Sequence, residues 1–137
     1  FYAQIPNAVA ANNHMGSATT ANLTTMSNVL EHLDKNGLFF IDSATTSKSA
    51  VATAANGLGI FSSRRDIFLD VPDSSEQTLA SKIQSLGKYK GRKEPIVIIT
   101  HCHNREKLDA LQKFIAQIQS MGLNLVSLKD AFPQSGA

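Results

Sequence analysis

The chain has 137 residues, a length that suits one compact domain with its own hydrophobic core. A hydrophobic content of 42% argues against long disordered segments. A net charge of +2 with scattered basic residues does not predict a surface that binds nucleic acid. The single cysteine excludes an internal disulfide, and no apolar run approaches the length of a membrane span.

Short apolar runs predict β-strands, and helical patterns fill the gaps between them. The predicted strands lie at 8–10, where the signal is weak, and at 38–41, 67–69, 96–99 and 123–126. The first predicted helix is capped by Thr19 or Thr20 and stopped by Gly37, and the second spans 47–56. The third begins with a capping box of Asp73 and Glu76, and the fourth is capped by Asn104. Three of the strands are continuously apolar and their starts are nearly evenly spaced, as in parallel sheets covered on both faces. The sequence therefore predicts an α/β fold of parallel βα units in a single domain, 1–137.

Polar residues follow the predicted strands at their carboxyl ends, where parallel α/β folds hold their chemistry. In chain order these residues include His14, Asp42, Asp70, His101 and His103. Any single Asp has a structural alternative, because Asp also forms turns and caps helices. A histidine supplies a metal-binding nitrogen or a proton donor near neutral pH. The pattern therefore predicts that these residues meet at the edge formed by the carboxyl ends of the strands, where they bind a metal or transfer protons.

The segment from His101 to His103 has two interpretations. If the strand continues through it, both histidines lie on one side, and such an H-x-H pair is a way to bind a metal. Cys102 between them is expected to be a small buried hydrophobe rather than a nucleophile.

Four segments, in this order, resemble those of the divergent polysaccharide deacetylases. They are NNHMGS at 12–17, GLFFIDS at 37–43, RDIFLD at 65–70 and THCHNRE at 100–106. The last segment matches the family's GHPHPET loosely, and Thr100, Cys102 and Asn104 replace its Gly and Pro residues. The resemblance implies part of a distorted (β/α) barrel, related to metal-dependent carbohydrate esterases and extracytoplasmic or periplasmic in bacteria. The family's first half, with an Asp-Asp pair after its first strand, has no counterpart in this sequence, which begins at Phe1. We therefore expect the C-terminal part of a larger deacetylase-like domain.

The resemblance also implies a reaction and a set of site residues. A divalent metal, zinc in particular, would activate water for the removal of N-acetyl groups from a polysaccharide or a peptidoglycan-like glycan. His14 would bind the metal, Asp42 would orient or tune a catalytic partner, and His101 would be the general acid or a further ligand. The residues expected to line the substrate pocket are Asn13, Ser17, Ser43, Asp70 and His103.

Two other functions stay open. One is a catalytically weak or inactive relative that binds glycan or a cell-envelope partner without turnover. The other is a different metal-dependent hydrolase that uses His101 and His103 as its H-x-H pair. The unpaired strand edges of a partial barrel also predict a homo-oligomer.

Overall fold

The computed structural model describes residues 2–133. They form two compact units, which we call the first unit (residues 2–64 with 127–133) and the second unit (residues 65–126). Each unit combines parallel strands with helices, which confirms the predicted α/β class of parallel βα units. The barrel and the single domain stay predictions. No helix within residues 2–133 is long and apolar enough to cross a membrane.

The first unit is built on a three-stranded parallel sheet. Its strands are β1 (Ala10–Asn12), β2 (Phe39–Asp42) and β3 (Ser62–Arg64), in the order β1-β2-β3. Its helices are α1 (Ser17–Thr20), α2 (Leu23–Lys35), α3 (Val51–Leu58) and α6 (Leu128–Ala131), with a short 3-10 helix at Tyr2–Gln4. All four residues of β2 are buried, as expected for a central strand covered on both faces.

Helix α2 shows how local sequence sets the bounds of an element. Its buried face is apolar, and Asn22 begins it by accepting a hydrogen bond at Oδ1 from the Thr25 amide at 2.9 Å. The predicted cap at Thr19 or Thr20 is therefore wrong. The hydroxyl of Thr20 instead donates to the Gly16 carbonyl within α1, at 2.7 Å. The predicted stop at Gly37 is confirmed by its φ of 72°, a conformation that glycine adopts readily.

The second unit pairs two short parallel strands with two longer helices. Its elements are β4 (Ile67–Phe68), α4 (Glu76–Ser85), a 3-10 helix at Leu86–Tyr89, β5 (Ile98–Ile99) and α5 (Arg105–Ser120). The core of this unit is formed by Ile67, Leu69, Leu79, Leu86, Phe114 and Ile118. Asn104 caps α5 as predicted, whereas Ser75 caps α4 in place of the predicted box of Asp73 and Glu76.

One predicted strand is wrong and one observed strand was missed. Residues 123–126 form no strand, and Leu125 and Val126 are 58% and 61% exposed. Apolar residues alone do not make a strand, because a strand needs a hydrogen-bonded neighbour. Conversely, β3 has the polar sequence Ser62-Ser63-Arg64, which gives no apolar signal, yet it pairs with β2. Arg64 therefore lies at the carboxyl end of a strand, beside Asp42.

Candidate functional site

The loops that follow β1 and β2 meet at one edge of the first unit's sheet. The Ser43 amide donates to Asn13 Oδ1 at 2.9 Å, and the Ser43 hydroxyl donates to the Asn13 carbonyl at 2.7 Å. Asn12 adds a hydrogen bond to the Ser43 hydroxyl, and Asn13 Nδ2 donates to Thr20 Oγ1 at 3.0 Å. Two predicted pocket residues, Asn13 and Ser43, are thus brought together, and the hydrogen bonds between them connect the two loops.

Asp42 lies at the end of β2 and is buried, with 4% of its surface exposed. Its carboxylate accepts hydrogen bonds from the Ala44 amide at 2.8 Å and the Ser49 hydroxyl at 2.7 Å. These are the contacts of a turn-forming aspartate, which was the structural alternative for this residue. Ala44 itself has a φ of 50°, a left-handed conformation that is costly for an L-residue with a side chain.

His14 lies in the loop between β1 and α1, and Ser17 is the first residue of α1. His14 is exposed and precedes Met15, which has a φ of 53° and is 88% exposed. The Ser17 hydroxyl lies 3.0 Å from that of Thr45. Left-handed non-glycine residues thus occur in both loops at this edge of the sheet, and such strain is common at ligand-binding loops. The metal-binding role of His14 and the pocket role of Ser17 stay predictions.

In the second unit, a buried carboxylate at the end of β4 holds a histidine that follows β5. Asp70 Oδ2 lies 2.9 Å from His101 Nδ1, and Asp70 Oδ1 accepts from the His101 amide at 3.2 Å. The Asp70 side chain is 2% exposed and that of His101 is 34% exposed. Such an arrangement fixes the imidazole by one ring nitrogen, which is how histidines used in proton transfer are commonly oriented.

Lys107, in the first turn of α5, completes this cluster. Its Nζ lies 2.6 Å from Asp70 Oδ2, the same oxygen that contacts His101, and the lysine side chain is only 20% exposed. Burial raises the pKa of Asp70, but the hydrogen bonds from Lys107 and His101 outweigh burial and hold that pKa well below its usual range. Asp70 is therefore a carboxylate at neutral pH. Its Oδ1 contacts Thr100 and the His101 amide, and its Oδ2 contacts His101 Nδ1 and Lys107.

Lys107 was missed by sequence reasoning, although one signal pointed to it. A cation in the first turn of a helix faces the positive end of the helix dipole, which is unfavourable unless an anion lies nearby. The anion is Asp70, 37 residues earlier in the chain, so the pairing could not be read from local sequence.

The rings around His101 form a continuous row. The Phe68 centroid lies 5.4 Å from that of His101, and the His101 centroid lies 5.8 Å from that of His103. The Arg65 guanidinium lies over the Phe68 ring at 5.1 Å. Cys102 is exposed, so the expectation that it would be buried is wrong.

A metal ion would require a set of ligands that converge. Within the described residues 2–133, no group of three or more His, Cys, Asp or Glu side chains is placed to hold one. His101 Nδ1 and both Asp70 oxygens are engaged with each other, with Lys107 and with Thr100. These residues therefore do not fit a complete metal centre, and the zinc site stays an expectation for which this part of the chain supplies no full ligand set.

The fold and the paired polar residues at strand ends define a parallel α/β protein with an oriented histidine. The chain belongs to the divergent polysaccharide deacetylase family, whose model matches residues 1–132. The resemblance found in the sequence is thereby confirmed.

Curated relatives and a solved structure agree with this membership. The chain is 42% identical over 66 residues to the uncharacterized protein YibQ of Escherichia coli K12, which covers 48% of this chain and 21% of YibQ. It is 43% identical over 72 residues to an uncharacterized protein of Haemophilus influenzae Rd, covering 53% and 25%. The crystal structure of uncharacterized protein ATU2773 from Agrobacterium tumefaciens C58 superposes with a TM-score of 0.76 at 18% identity, covering 90% of this chain and 50% of that one. The matched segments thus span a quarter or less of the curated relatives and half of the solved structure.

Proposed function

We propose that this chain contributes a proton-transfer histidine to a hydrolase that removes N-acetyl groups from a polysaccharide or a peptidoglycan-like glycan. The observation that carries the proposal is the contact of His101 Nδ1 with the buried Asp70 carboxylate, in a member of the divergent polysaccharide deacetylase family. Hydrolysis of an acetamide needs a proton on the departing amine nitrogen, and a histidine fixed by one ring nitrogen supplies it from the other.

Within this proposal, each residue of the cluster has one task. His101 transfers the proton, Asp70 orients its ring, and Lys107 holds the Asp70 carboxylate in place. Asp70 is buried, so these contacts favour a positioning role for it over the direct contact with substrate expected from the sequence. The catalytic role of Asp42 is a proposal that rests on the family resemblance.

The metal, the partner and the compartment rest on the family alone. If the whole protein uses zinc with His14 as a ligand, at least one ligand would come from outside residues 2–133, because no group of three or more His, Cys, Asp or Glu side chains placed to hold a metal lies within them. A carbohydrate substrate and an extracytoplasmic or periplasmic location remain proposals on the same ground.

Acetate release from N-acetylglucosamine oligomers and from peptidoglycan tests the reaction. The proposal expects His101→Ala to lower the rate by about 10²- to 10⁴-fold, the range of general acid–base catalysis. The matched control is His32→Ala, a histidine on α2, which should leave the rate unchanged. Equal rates in the two variants would show that His101 transfers no proton in this reaction.

A second candidate is a relative that binds glycan without turnover. It is favoured by one observation, the turn-forming contacts of the Asp42 carboxylate with the Ala44 amide and the Ser49 hydroxyl, which suit a structural role for this residue. Zinc stoichiometry of the whole protein after dialysis separates the candidates, with His14→Ala as the variant. Zinc bound near one equivalent and lost in the variant favours the hydrolase, whereas glycan binding without zinc or acetate release favours the binding protein.

A further inference from the structure

Although basic residues are scattered along the chain as a whole, four of them gather just before β5. They lie at the end of the 3-10 helix and in the turn that follows it, within six positions: Lys88, Lys90, Arg92 and Lys93. We call residues 88–93 the basic turn. Like charges placed this close repel each other, so the cluster destabilises the fold unless opposite charge compensates it.

The basic turn has a defined structure, which Asp66 holds in place. The Asp66 carboxylate accepts from Arg92 Nη1 at 2.6 Å and from the Val97 amide at 2.9 Å. The Asp66 carbonyl accepts from the Tyr89 hydroxyl at 3.4 Å. Gly91 closes the turn with a φ of 84°, a conformation that glycine adopts at no steric cost. The basic charges are therefore presented from a fixed backbone.

The acidic groups that contact the basic turn are both engaged by its arginine. Arg92 pairs with Asp66 at 2.6 Å and with Glu94 at 3.9 Å. The side chains of Lys90 and Lys93 make no hydrogen bond or ion pair within residues 2–133, and that of Lys88 contacts only the Tyr89 ring, at 5.0 Å. The three lysines are exposed. Three ammonium groups thus face solvent from one turn without a counter-charge.

The basic turn lies at the opposite end of β4 and β5 from the cluster of Asp70 and His101. Asp66 and the basic turn precede the two strands, whereas Asp70 and His101 follow them. Because β4 and β5 are parallel, residues before the strands and residues after them lie at opposite ends of the sheet. A partner bound at the basic turn therefore leaves the His101 end of this unit open.

We propose that the basic turn binds the headgroups of anionic phospholipids at a membrane surface. The negative surface potential of such a membrane attracts lysines that lie close to it, and each lysine strengthens binding by about fivefold. A surface of many mobile headgroups neutralises three separate ammonium groups, whereas a single phosphate would need donors that converge on one point. The chain would lie on the membrane by charge, without inserting into it.

Two observations favour a lipid surface over other anionic partners. Single-stranded nucleic acid stacks its bases on aromatic side chains, but the Tyr89 ring already has the Lys88 ammonium over it at 5.0 Å and the Arg92 guanidinium at 5.4 Å. A stable protein interface has an apolar core, but the exposed residues of the basic turn are all charged or glycine. Lipid headgroups require neither a free ring nor an apolar anchor.

Co-sedimentation with lipid vesicles at low ionic strength tests the inference. The chain should bind vesicles of equal parts phosphatidylglycerol and phosphatidylcholine, and it should not bind vesicles of phosphatidylcholine alone. Salt at about 1 M, where the Debye length is about 3 Å, should release it. Replacing the three lysines of the basic turn together by glutamine should weaken binding by about a hundredfold, the product of three fivefold effects.

The matched control removes the same charge from three exposed lysines of the first unit. Its substitutions are Lys35→Gln, Lys48→Gln and Lys129→Gln, and it should keep most of the binding. Arginine at all three lysines of the basic turn keeps the charge and should keep the affinity, which distinguishes loss of charge from a folding defect.

Four results would overturn the inference. They are absence of binding to the anionic vesicles, equal losses in the two glutamine triple variants, loss of binding in the arginine variant, and tighter binding to double-stranded DNA or to polyglutamate than to the anionic vesicles. Equal losses would show that binding follows net charge alone. Tighter binding to DNA or to polyglutamate would assign the basic turn to a nucleic acid or to an acidic protein.

Discussion

Replacing Lys107 by methionine should destabilise the protein far more than the same replacement at another ion-paired lysine of α5. Lys107 Nζ lies 2.6 Å from Asp70, with side-chain exposures of 20% and 2%. Lys113 Nζ lies 2.8 Å from Glu76, with exposures of 57% and 86%. The two pairs have similar geometry and join the same sequence separation, so they differ mainly in burial.

The expected magnitudes follow from that difference. Removing one partner of a buried ion pair leaves an uncompensated charge and costs about 3–5 kcal/mol. Asp70 keeps its contacts with His101, so we expect the lower end, about 3 kcal/mol. Loss of the exposed Lys113 pair should cost little, because solvent screens both partners.

Urea unfolding followed by circular dichroism measures the effect. With a slope of about 1.5 kcal/mol/M, Lys107→Met should lower the midpoint by about 2 M, whereas Lys113→Met should leave it nearly unchanged. The double variant Asp70→Asn with Lys107→Met removes both charges and should recover much of the loss. Equal midpoints for the two single variants would refute the assignment of Lys107 to a buried charge cluster.

Four further results are expected. Because the pKa of Asp70 is lowered in the folded state, its contribution to stability is present above the unfolded pKa of 3.8 and is lost as the pH falls through the folded value. Acid titration of the unfolding free energy should therefore be flatter in Asp70→Asn. Asn13→Ala removes two side-chain hydrogen bonds and should cost about 1–3 kcal/mol in urea unfolding. Ala44→Gly relieves a φ of 50° and should raise the unfolding free energy by up to about 1 kcal/mol, whereas Ala52→Gly in helix α3 should lower it by about as much; a lower stability in both would contradict the strain at Ala44. Leu125→Thr should change the free energy of unfolding, measured in urea, by no more than about 0.5 kcal/mol, since Leu125 is 58% exposed. A larger loss of stability would indicate that Leu125 is buried.

Local sequence determined the elements whose signals are themselves local. The buried apolar run of β2, the apolar face of α2 and the cap of α5 at Asn104 were all predicted, because periodicity and caps depend on residues within a few positions of each other. The same holds for the residue types at the strand ends, and for the family, whose motifs are short and lie in a fixed order.

Tertiary structure decided what each of these residues contacts. Nothing near Asp70 in the sequence indicates that His101 and Lys107, 31 and 37 residues later, share its carboxylate oxygen. The polar strand β3 exists because β2 offers it a hydrogen-bonded edge, while residues 123–126 have an apolar strand sequence but no strand pairing. Charge pairing and strand pairing depend on residues that folding brings together across long separations, and a sequence pattern states the need for a partner without identifying it.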